Sequence, residues 1–196
     1  MKDLRKYSDG ELISLIREKS DCREYAFYIL YQKYSPKLLS FCLFKSTCIE
    51  EAEEILQDTW LKFHKAVTGG RELRDILPYL YLIARNLCID RFRSRSAGSK
   101  PAIDYFDMES IQRAADPFNF QSDMDKEELA GLVNIAINNL DEIYKETLVL
   151  YWHGCLTYEQ IAEVCGETTA CIRTRFSRGV KQLVSILKPY IIELTK

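Results

Sequence analysis

The segment Glu50 to Val67, EEAEEILQDTWLKFHKAV, limits the fold of this chain more than any other stretch. Its apolar residues recur at steps of three and four positions, which is the period of an α-helix with one buried side. The apolar positions are Ala52, Leu56, Trp60, Phe63 and Val67. The opposite side carries Glu51, Glu54, Asp58, Lys62 and Lys65. Periodicity alone predicts that this opposite side is a solvated face, on which Asp58 and Lys62 form an i, i+4 pair.

Other segments also indicate helices. Ser8 and Glu11 have the spacing of a capping box, which starts a helix by satisfying its first backbone N–H groups. The aromatic-rich segment Tyr25 to Tyr34 predicts a second helix, which Pro36 ends or restarts. Pro78 suits the first turn of a later helix. With only 8 Gly and 5 Pro in 196 residues, the chain is predicted to be all-α.

A change of composition divides the chain. Residues 94–125 are rich in Ser, Gly, Pro and Asp and have no sustained helical period, which is typical of a linker. We therefore predict two small helical domains, 1–95 and 126–196, joined by a linker over 96–125. The chain is long enough for one modest core or two small ones.

Several classes of protein are disfavoured. The charged N-terminus does not resemble a signal peptide and no apolar run is long enough to cross a bilayer, so we expect a cytoplasmic protein with no membrane insertion. The seven cysteines form no C-x-x-C pair and are interpreted as reduced, mostly buried residues. His64 and His153 stand alone, and no catalytic motif is present. We predict no enzyme activity, no cofactor, no metal ligands and no catalytic residues.

The charge of the chain is unevenly distributed, although the net charge is only -2. Residues 85–100 contain four Arg and one Lys against one Asp, and residues 168–188 contain three Arg and two Lys with no acid. Between them, residues 104–128 contain eight acids and two basic residues. Two basic patches separated by an acidic connector are compatible with nucleic-acid binding, which the net charge conceals.

The first basic patch lies on a helix that is predicted to have two different sides. One side is apolar and is predicted to be buried: Leu80, Ile83, Ala84, Leu87 and Cys88. The other side carries Tyr79, Leu82, Asn86, Asp90 and Arg93. Aromatic, amide and guanidinium groups together suit an unpaired nucleic-acid strand. Alternatively, Asp90 and Arg93 neutralise each other and the tyrosines belong to the core, and the patch by itself does not decide between these interpretations.

The second basic patch follows the pattern of a helix-turn-helix. Thr157 and Gln160 form a capping box for a short helix, Gly166 permits a turn, and Thr168 is a suitable N-cap for a second helix. The second helix is predicted to bury Ile172, Phe176, Val180, Leu183 and Leu187. Its basic residues Arg173, Arg175, Arg178 and Lys181 lie off this stripe. In such motifs the second helix enters the major groove; the alternative is a plain helical hairpin with a solvated face.

Three parts of the chain together resemble the extracytoplasmic-function sigma factors, which are two-domain specificity subunits of bacterial RNA polymerase. The parts are AFYILYQKYSPKLLSFC with EEAEEILQDTWLKFHKAV, LPYLYLIARNLCIDRFRSR, and LTYEQIAEVCGETTACIRTRFSRGVKQL. The resemblance implies that the first domain binds core RNA polymerase and captures the minus-ten strand. It implies that the second domain binds the minus-thirty-five element as duplex DNA and that an anti-sigma factor is a further partner.

The resemblance also assigns roles to residues. It implies polymerase contacts for Glu54, Gln57 and Asp58, which replaces the solvated-face interpretation, and it places Asn86 beside a flipped base. The predicted DNA-binding residues are Tyr79, Arg85, Asn86, Arg91, Arg93, Arg95, Thr168, Thr169, Arg173, Arg175 and Arg178. The sequence departs from the family in having Asp141 where a proline is usual, and we expect Asp141 to act as an N-cap. The alternative function is a helix-turn-helix regulator that acts without joining polymerase.

Overall fold

The protein is described here from a computed structural model, which describes residues 4–18, 21–96, 133 and 135–194. A 3-10 turn at Leu4–Lys6 is followed in the described part of the chain by seven α-helices with assigned bounds, and residues 133 and 135–138 are also helical. The seven helices are α1 (Asp9–Arg17), α2 (Arg23–Lys45), α3 (Ile49–Thr68), α4 (Ile76–Ser96), α5 (Glu142–Trp152), α6 (Tyr158–Cys165) and α7 (Thr169–Leu194). All regular secondary structure in these residues is helical, which confirms the all-α prediction.

The chain divides into two compact units, Met1–Phe106 and Asp107–Lys196. The exact boundaries 1–95 and 126–196 stay a prediction, because most of the predicted linker over 96–125 lies outside the described residues. In the first unit, α2 packs against α1, α3 and α4, and α3 packs against α4. In the second unit, α7 packs against both α5 and α6.

Helix α3 supplies one side of the core of the first unit. All five residues of the predicted apolar stripe are buried: Ala52, Leu56, Trp60, Phe63 and Val67. The predicted solvated face is wrong at Glu51, which is buried. The Glu51 carboxylate accepts a hydrogen bond from the backbone N–H of Thr47 at 3.0 Å, just before the helix begins at Ile49. A carboxylate in the first turn of a helix also complements the helix dipole, so Glu51 has a structural function.

The prediction that Pro36 ends or restarts a helix is wrong, since α2 continues through it to Lys45. Proline removes one backbone donor and in a helix interior costs about 3 kcal/mol. Leu38 and Phe41, which follow it, are completely buried, and burying each side chain contributes about 1.5–3 kcal/mol. Tertiary packing of the residues that follow Pro36 therefore outweighs the local preference to end the helix.

The second unit brings α7 very close to α5. Gly179, in the middle of α7, is buried, and a Cβ atom placed on it would lie 3.1 Å from Cβ of Tyr144 and 3.3 Å from Cδ1 of Leu148. Glycine in a helix interior normally costs about 1 kcal/mol relative to alanine. This contact explains the glycine, because a larger residue would force the two helices apart.

Asp141 is the N-cap residue of α5, as predicted, but its side chain makes no capping hydrogen bond. Its contribution is a backbone one, because its carbonyl accepts from the N–H groups of Tyr144 and Lys145, both at 2.9 Å. The N-cap prediction for Asp141 is thus confirmed, with the backbone carbonyl and not the carboxylate as the acceptor.

Candidate nucleic-acid and protein-binding surfaces

Helix α4 has the two different sides that the sequence predicts. The five residues predicted to face the core are all buried: Leu80, Ile83, Ala84, Leu87 and Cys88. On the other side Asn86, Asp90 and Arg93 are exposed, and Arg85 is half-buried. The side chain of Arg95 lies outside those that the structure describes. The exposed side of α4 thus presents an amide and guanidinium groups to solvent.

The two tyrosines of this helix have different environments. Tyr81 is completely buried, packs edge-on against Phe41 with ring centroids 5.3 Å apart, and donates a hydrogen bond to the carbonyl of Lys37 at 3.3 Å. The core interpretation is therefore right for Tyr81. Tyr79 is half-buried, and its ring lies 6.4 Å from that of Phe63.

The loop before α4 covers part of the Tyr79 ring, which the sequence did not reveal. The Arg71 guanidinium carbon lies 4.7 Å from the centre of this ring, in the geometry of a cation–π contact. The backbone of Arg71 is fixed by hydrogen bonds: its N–H donates to the carbonyl of Ala66 at 3.0 Å, and its carbonyl accepts from Nη2 of Arg17. Gly70, with φ of 86°, makes the turn that brings the chain into this position. A base reaching Tyr79 therefore meets Arg71 as well.

Arg91 joins two residue groups that the sequence assigned to different partners. It was predicted to bind DNA, yet its Nη1 lies 2.7 Å from Oε2 of Glu54 and its Nη2 lies 3.3 Å from Oδ2 of Asp58. The Asp58 carboxylate therefore pairs with a residue of α4. The hydrogen bond to Glu54 is the largest influence on the Arg91 guanidinium and raises its pKa, with Asp58 adding to this and slight desolvation opposing it.

Helices α2 and α3 form an aromatic pocket next to the predicted polymerase-binding residues. Its volume is about 470 Å³. Trp60 is one of its lining residues, and the centroid of its ring lies 5.5 Å from that of Phe27 and 5.3 Å from that of Tyr31. The pocket is lined by Arg23, Glu24, Phe27, Tyr31, Gln57, Trp60, Leu61 and His64. Because Leu61 is 59% exposed at its rim, the pocket offers an apolar surface to a partner.

Three residues that line this pocket also carry polar groups. Nε1 of Trp60 is buried without a hydrogen-bond partner in the described structure, and buried polar groups normally have one. Nη2 of Arg23 lies 3.1 Å from Nε2 of His64. Partial burial, and secondly the charge of Arg23, lower the pKa of His64 below its usual 6.5. The sequence pointed to Gln57 but missed the pocket, because its aromatic residues come from two helices and meet only in the fold.

The helix-turn-helix prediction is supported at each of its local signals. The Thr157 hydroxyl accepts from the N–H of Gln160 at 3.3 Å, and the Gln160 side chain accepts from the N–H of Thr157 at 3.0 Å. Gly166 ends α6 with a left-handed φ of 69°. The Thr168 hydroxyl accepts from the N–H of Cys171 at 3.2 Å, which caps the start of α7.

The basic residues of α7 differ in their surroundings. Arg173 lies 3.3 Å from the Glu159 carboxylate and 5.9 Å from the ring centre of Tyr158. Arg175 is half-buried and lies 2.5 Å from the Glu167 carboxylate. Arg178 is exposed. The three arginines therefore differ in how freely each could contact DNA. Of the three, Arg178 has the fewest ion pairs with the described residues.

The remaining predicted residues of this helix lie at its start. Thr168 is exposed and Thr169 is half-buried. Of the predicted apolar stripe, Ile172 and Leu183 are buried, but the prediction is wrong for Phe176, Val180 and Leu187, which are half-buried. The Phe176 ring has aromatic neighbours. Its centroid lies 4.6 Å from that of Tyr151 and 5.4 Å from that of Tyr158. This aromatic cluster connects α7 to α5 and α6, which fixes the direction of the basic helix.

Metal chemistry finds no support in the described part of the chain, where no group of His, Cys, Asp and Glu could hold a metal ion. None of the seven cysteines, all of which lie in that part, forms a disulfide. The expectation that they are mostly buried is wrong: only Cys42 and Cys88 are buried, whereas Cys165 and Cys171 are half-buried and Cys22, Cys48 and Cys155 are exposed. No described helix is both long enough and apolar enough to span a membrane.

Comparison with known proteins finds similarity to sigma factors. The family model described as Sigma-70 region 2 matches residues 30–98, a range that contains α3 and α4. The RNA polymerase sigma-H factor of Pseudomonas aeruginosa is 25% identical over 205 aligned residues, which cover 97% of this chain and 99% of that protein. The ECF RNA polymerase sigma factor SigW of Bacillus subtilis is 25% identical over 162 residues, with coverage of 81% and 87%.

Solved structures agree in fold. The sigma factor RpoE of Bartonella quintana, solved in complex with the anti-sigma factor NepR, superimposes with a TM-score of 0.63 at 24% identity, covering 83% of this chain and 96% of that one. CnrH, solved in complex with the cytosolic domain of CnrY, gives a TM-score of 0.64 at 18% identity, with coverage of 92% and 97%. The match to Sigma-70 region 2, the similarity in sequence to sigma factors along nearly the whole chain and the shared helical fold together support an extracytoplasmic-function sigma factor.

Proposed function

We propose that this chain directs RNA polymerase to promoters through three surfaces. The exposed side of α3, with Glu54, Gln57, Asp58 and the adjoining aromatic pocket, binds core polymerase. The exposed side of α4 and the Arg71 loop hold the separated minus-ten strand. The start of α7 reads the minus-thirty-five element as duplex DNA.

The observation that carries this proposal is the separation of charge between helices. Carboxylates cluster on α3, while guanidinium groups cluster on the exposed side of α4 and along the start of α7. A protein that binds duplex DNA alone needs only the helix-turn-helix. The acidic surface beside an aromatic pocket favours a protein partner, so a regulator that acts without polymerase accounts for less of the molecule.

Strand opening follows from binding energy alone in this proposal. Unstacking a base costs a few kcal/mol, and stacking a base on an aromatic side chain returns about 1–3 kcal/mol. Asn86 is placed to hydrogen-bond an exposed base edge, and the Arg71–Tyr79 stack lies on the same helix side as Asn86. No catalytic step is required, and we infer that the chain has no enzymatic activity of its own and acts in the cytoplasm, where polymerase is.

The same surfaces suit an inhibitory partner. Both solved relatives were captured with another protein, named as an anti-sigma factor in one case. We infer that an anti-sigma factor binds this chain as well and competes with polymerase. The aromatic pocket at Trp60 is the apolar surface that such a partner would cover in the first unit.

The test is co-elution with purified core polymerase followed by run-off transcription on genomic fragments. We expect a stable complex and new transcripts. The substitution Glu54→Lys should weaken the complex, because it places a cation where the proposal requires an anion. Glu53→Lys is the matched control, because Glu53 is the exposed neighbour on the same helix and has no assigned contact. Failure of the wild-type chain to co-elute would refute the proposed function.

A further inference from the structure

Arg91 lies at the junction of two proposed surfaces. It belongs to the basic end of α4, which is proposed to face single-stranded DNA. Its guanidinium nevertheless contacts the two α3 carboxylates proposed to face polymerase, Glu54 at 2.7 Å and Asp58 at 3.3 Å. Each of its two terminal nitrogens therefore pairs with a carboxylate of the proposed polymerase-binding surface.

These ion pairs are exposed enough to be exchanged. The side chains are 39% exposed for Arg91, 60% for Glu54 and 43% for Asp58. Exposed ion pairs are weak because water and salt screen them. A partner that brings its own cations to the two carboxylates can therefore replace Arg91 without a large penalty.

The guanidinium has five N–H donors, but its contacts with Glu54 and Asp58 hold it on the α3 side and already balance its positive charge. While both terminal nitrogens point to α3, Arg91 contributes little to DNA binding. Once the carboxylates pair with other cations, Coulomb repulsion disfavours Arg91 at its original position. Its long side chain can then turn toward a phosphate on the DNA side of α4.

We propose that Arg91 couples polymerase binding to strand capture: cationic groups of the polymerase take over Glu54 and Asp58 and release Arg91 to a phosphate of the separated strand. This inference rests on the proposed function for the identity of the two partners. It gives the uncomplexed chain a lower affinity for single-stranded DNA than its arginine content implies. By linkage, DNA in turn strengthens polymerase binding by the same factor.

The first experiment uses the uncomplexed full chain and a fluorescent oligothymidylate, with binding followed by anisotropy. Glu54→Gln with Asp58→Asn removes both carboxylate charges with little change of shape. Since an exposed ion pair contributes up to about fivefold to an equilibrium constant, we expect this double variant to bind about threefold to tenfold more tightly.

Loss of any two acids also reduces general repulsion of DNA, and a matched control separates this effect. Glu50→Gln with Glu53→Gln removes the same charge from exposed positions of the same helix that lack a recorded contact with Arg91. Each pair of substitutions is repeated in an Arg91→Gln chain. The proposal requires that the additional gain from Glu54 and Asp58 disappear when Arg91 is absent; an equal gain with and without Arg91 overturns it.

The second experiment counts phosphate contacts. A cation that binds a single-strand phosphate contributes about 0.7 to the slope of log affinity against log salt. Arg91→Gln should leave this slope unchanged in the uncomplexed chain and lower it by about 0.7 in the complex with core polymerase. A change of equal size in both states means that Arg91 always binds phosphate, and no change in either means that it is purely structural. Both outcomes refute the coupling.

The two proposals fail in different ways. If the wild-type chain does not bind core polymerase, the proposed function is wrong, and the double variant still shows whether the carboxylates sequester Arg91. If polymerase binds but the Arg91 cycle shows no coupling, only this inference is wrong. Arg91→Lys, which retains the charge, and a thermal unfolding curve for each variant check that a loss of folding does not cause the result.

Discussion

Replacing Arg178 by alanine tests whether α7 lies on duplex DNA. Arg178 is exposed on the first half of α7, so we expect its guanidinium to contact a phosphate in any sequence. Each phosphate contact contributes about 0.9 to the salt slope of binding to B-DNA. If the variant loses about 0.9 of this slope, its affinity deficit relative to the wild-type chain becomes about 3.5-fold smaller when the salt concentration rises from about 50 to 200 mM.

The assay is anisotropy of a fluorescent nonspecific duplex titrated with the full chain over that salt range. Lys188→Ala is the matched control, because Lys188 is exposed on the same helix but lies about 15 Å further along the axis at 1.5 Å per residue. Arg175→Ala should change the slope less than Arg178→Ala, because its guanidinium already pairs with Glu167 at 2.5 Å. A salt slope that Arg178→Ala leaves unchanged would remove Arg178 from the DNA interface.

Three further predictions concern opening, capping and pH. Asn86→Ala should reduce strand opening at a promoter, read by permanganate reactivity, more than it reduces duplex binding; equal losses would argue against a base contact. Thr157→Ala should lower the free energy of unfolding by about 1 kcal/mol through loss of the N-cap, measured by denaturant titration, and no loss would show the cap to be dispensable. Burial lowers the pKa of His153 below its usual 6.5, so the unfolded chain binds the proton more readily than the folded chain does. The contribution of neutral His153 to stability should therefore be complete above pH 6.5. It should be lost as the pH falls from 6.5 toward the lower pKa that His153 has in the folded state. This loss should not exceed about 1.4 kcal/mol per pH unit, and His153→Gln should flatten the pH dependence of unfolding; an unchanged pH dependence would contradict the assignment.

Local signals in the sequence predicted the helices well because each depends on a few neighbouring residues. The apolar stripe of α3 and the Thr157 capping box need only the helical period and one turn of chain. Pro36 shows where this reasoning fails. A proline favours a helix end locally, but the burial of Leu38 and Phe41 against other helices decides the outcome, and that burial is not visible in a window of sequence.

The sequence predicted which types of residue form the candidate surfaces, but it did not predict which of these residues contact one another. The sequence placed carboxylates on α3 and arginines on α4, but the pairing of Arg91 with Glu54 and Asp58 depends on how the two helices cross. The same limitation concealed the contact between Arg71 and Tyr79, because a loop conformation set by Gly70 and by the Arg17 hydrogen bond brings them together. Glu51 was misplaced for a related reason, since its partner is a backbone N–H outside the helix.

The close approach of α5 and α7 at Gly179 has a consequence for how promoter preference changes during evolution. With no side chain at position 179, α7 lies close to α5, and any side chain placed there would meet Tyr144 and Leu148. Under the proposed function, we therefore expect new base preferences to arise from exchanges of the outward residues of α7 and not from substitution of Gly179. If α7 reads the minus-thirty-five element as proposed, grafting the outward residues of a similar sigma factor onto this helix should transfer that protein's sequence preference, provided that Gly179 is retained.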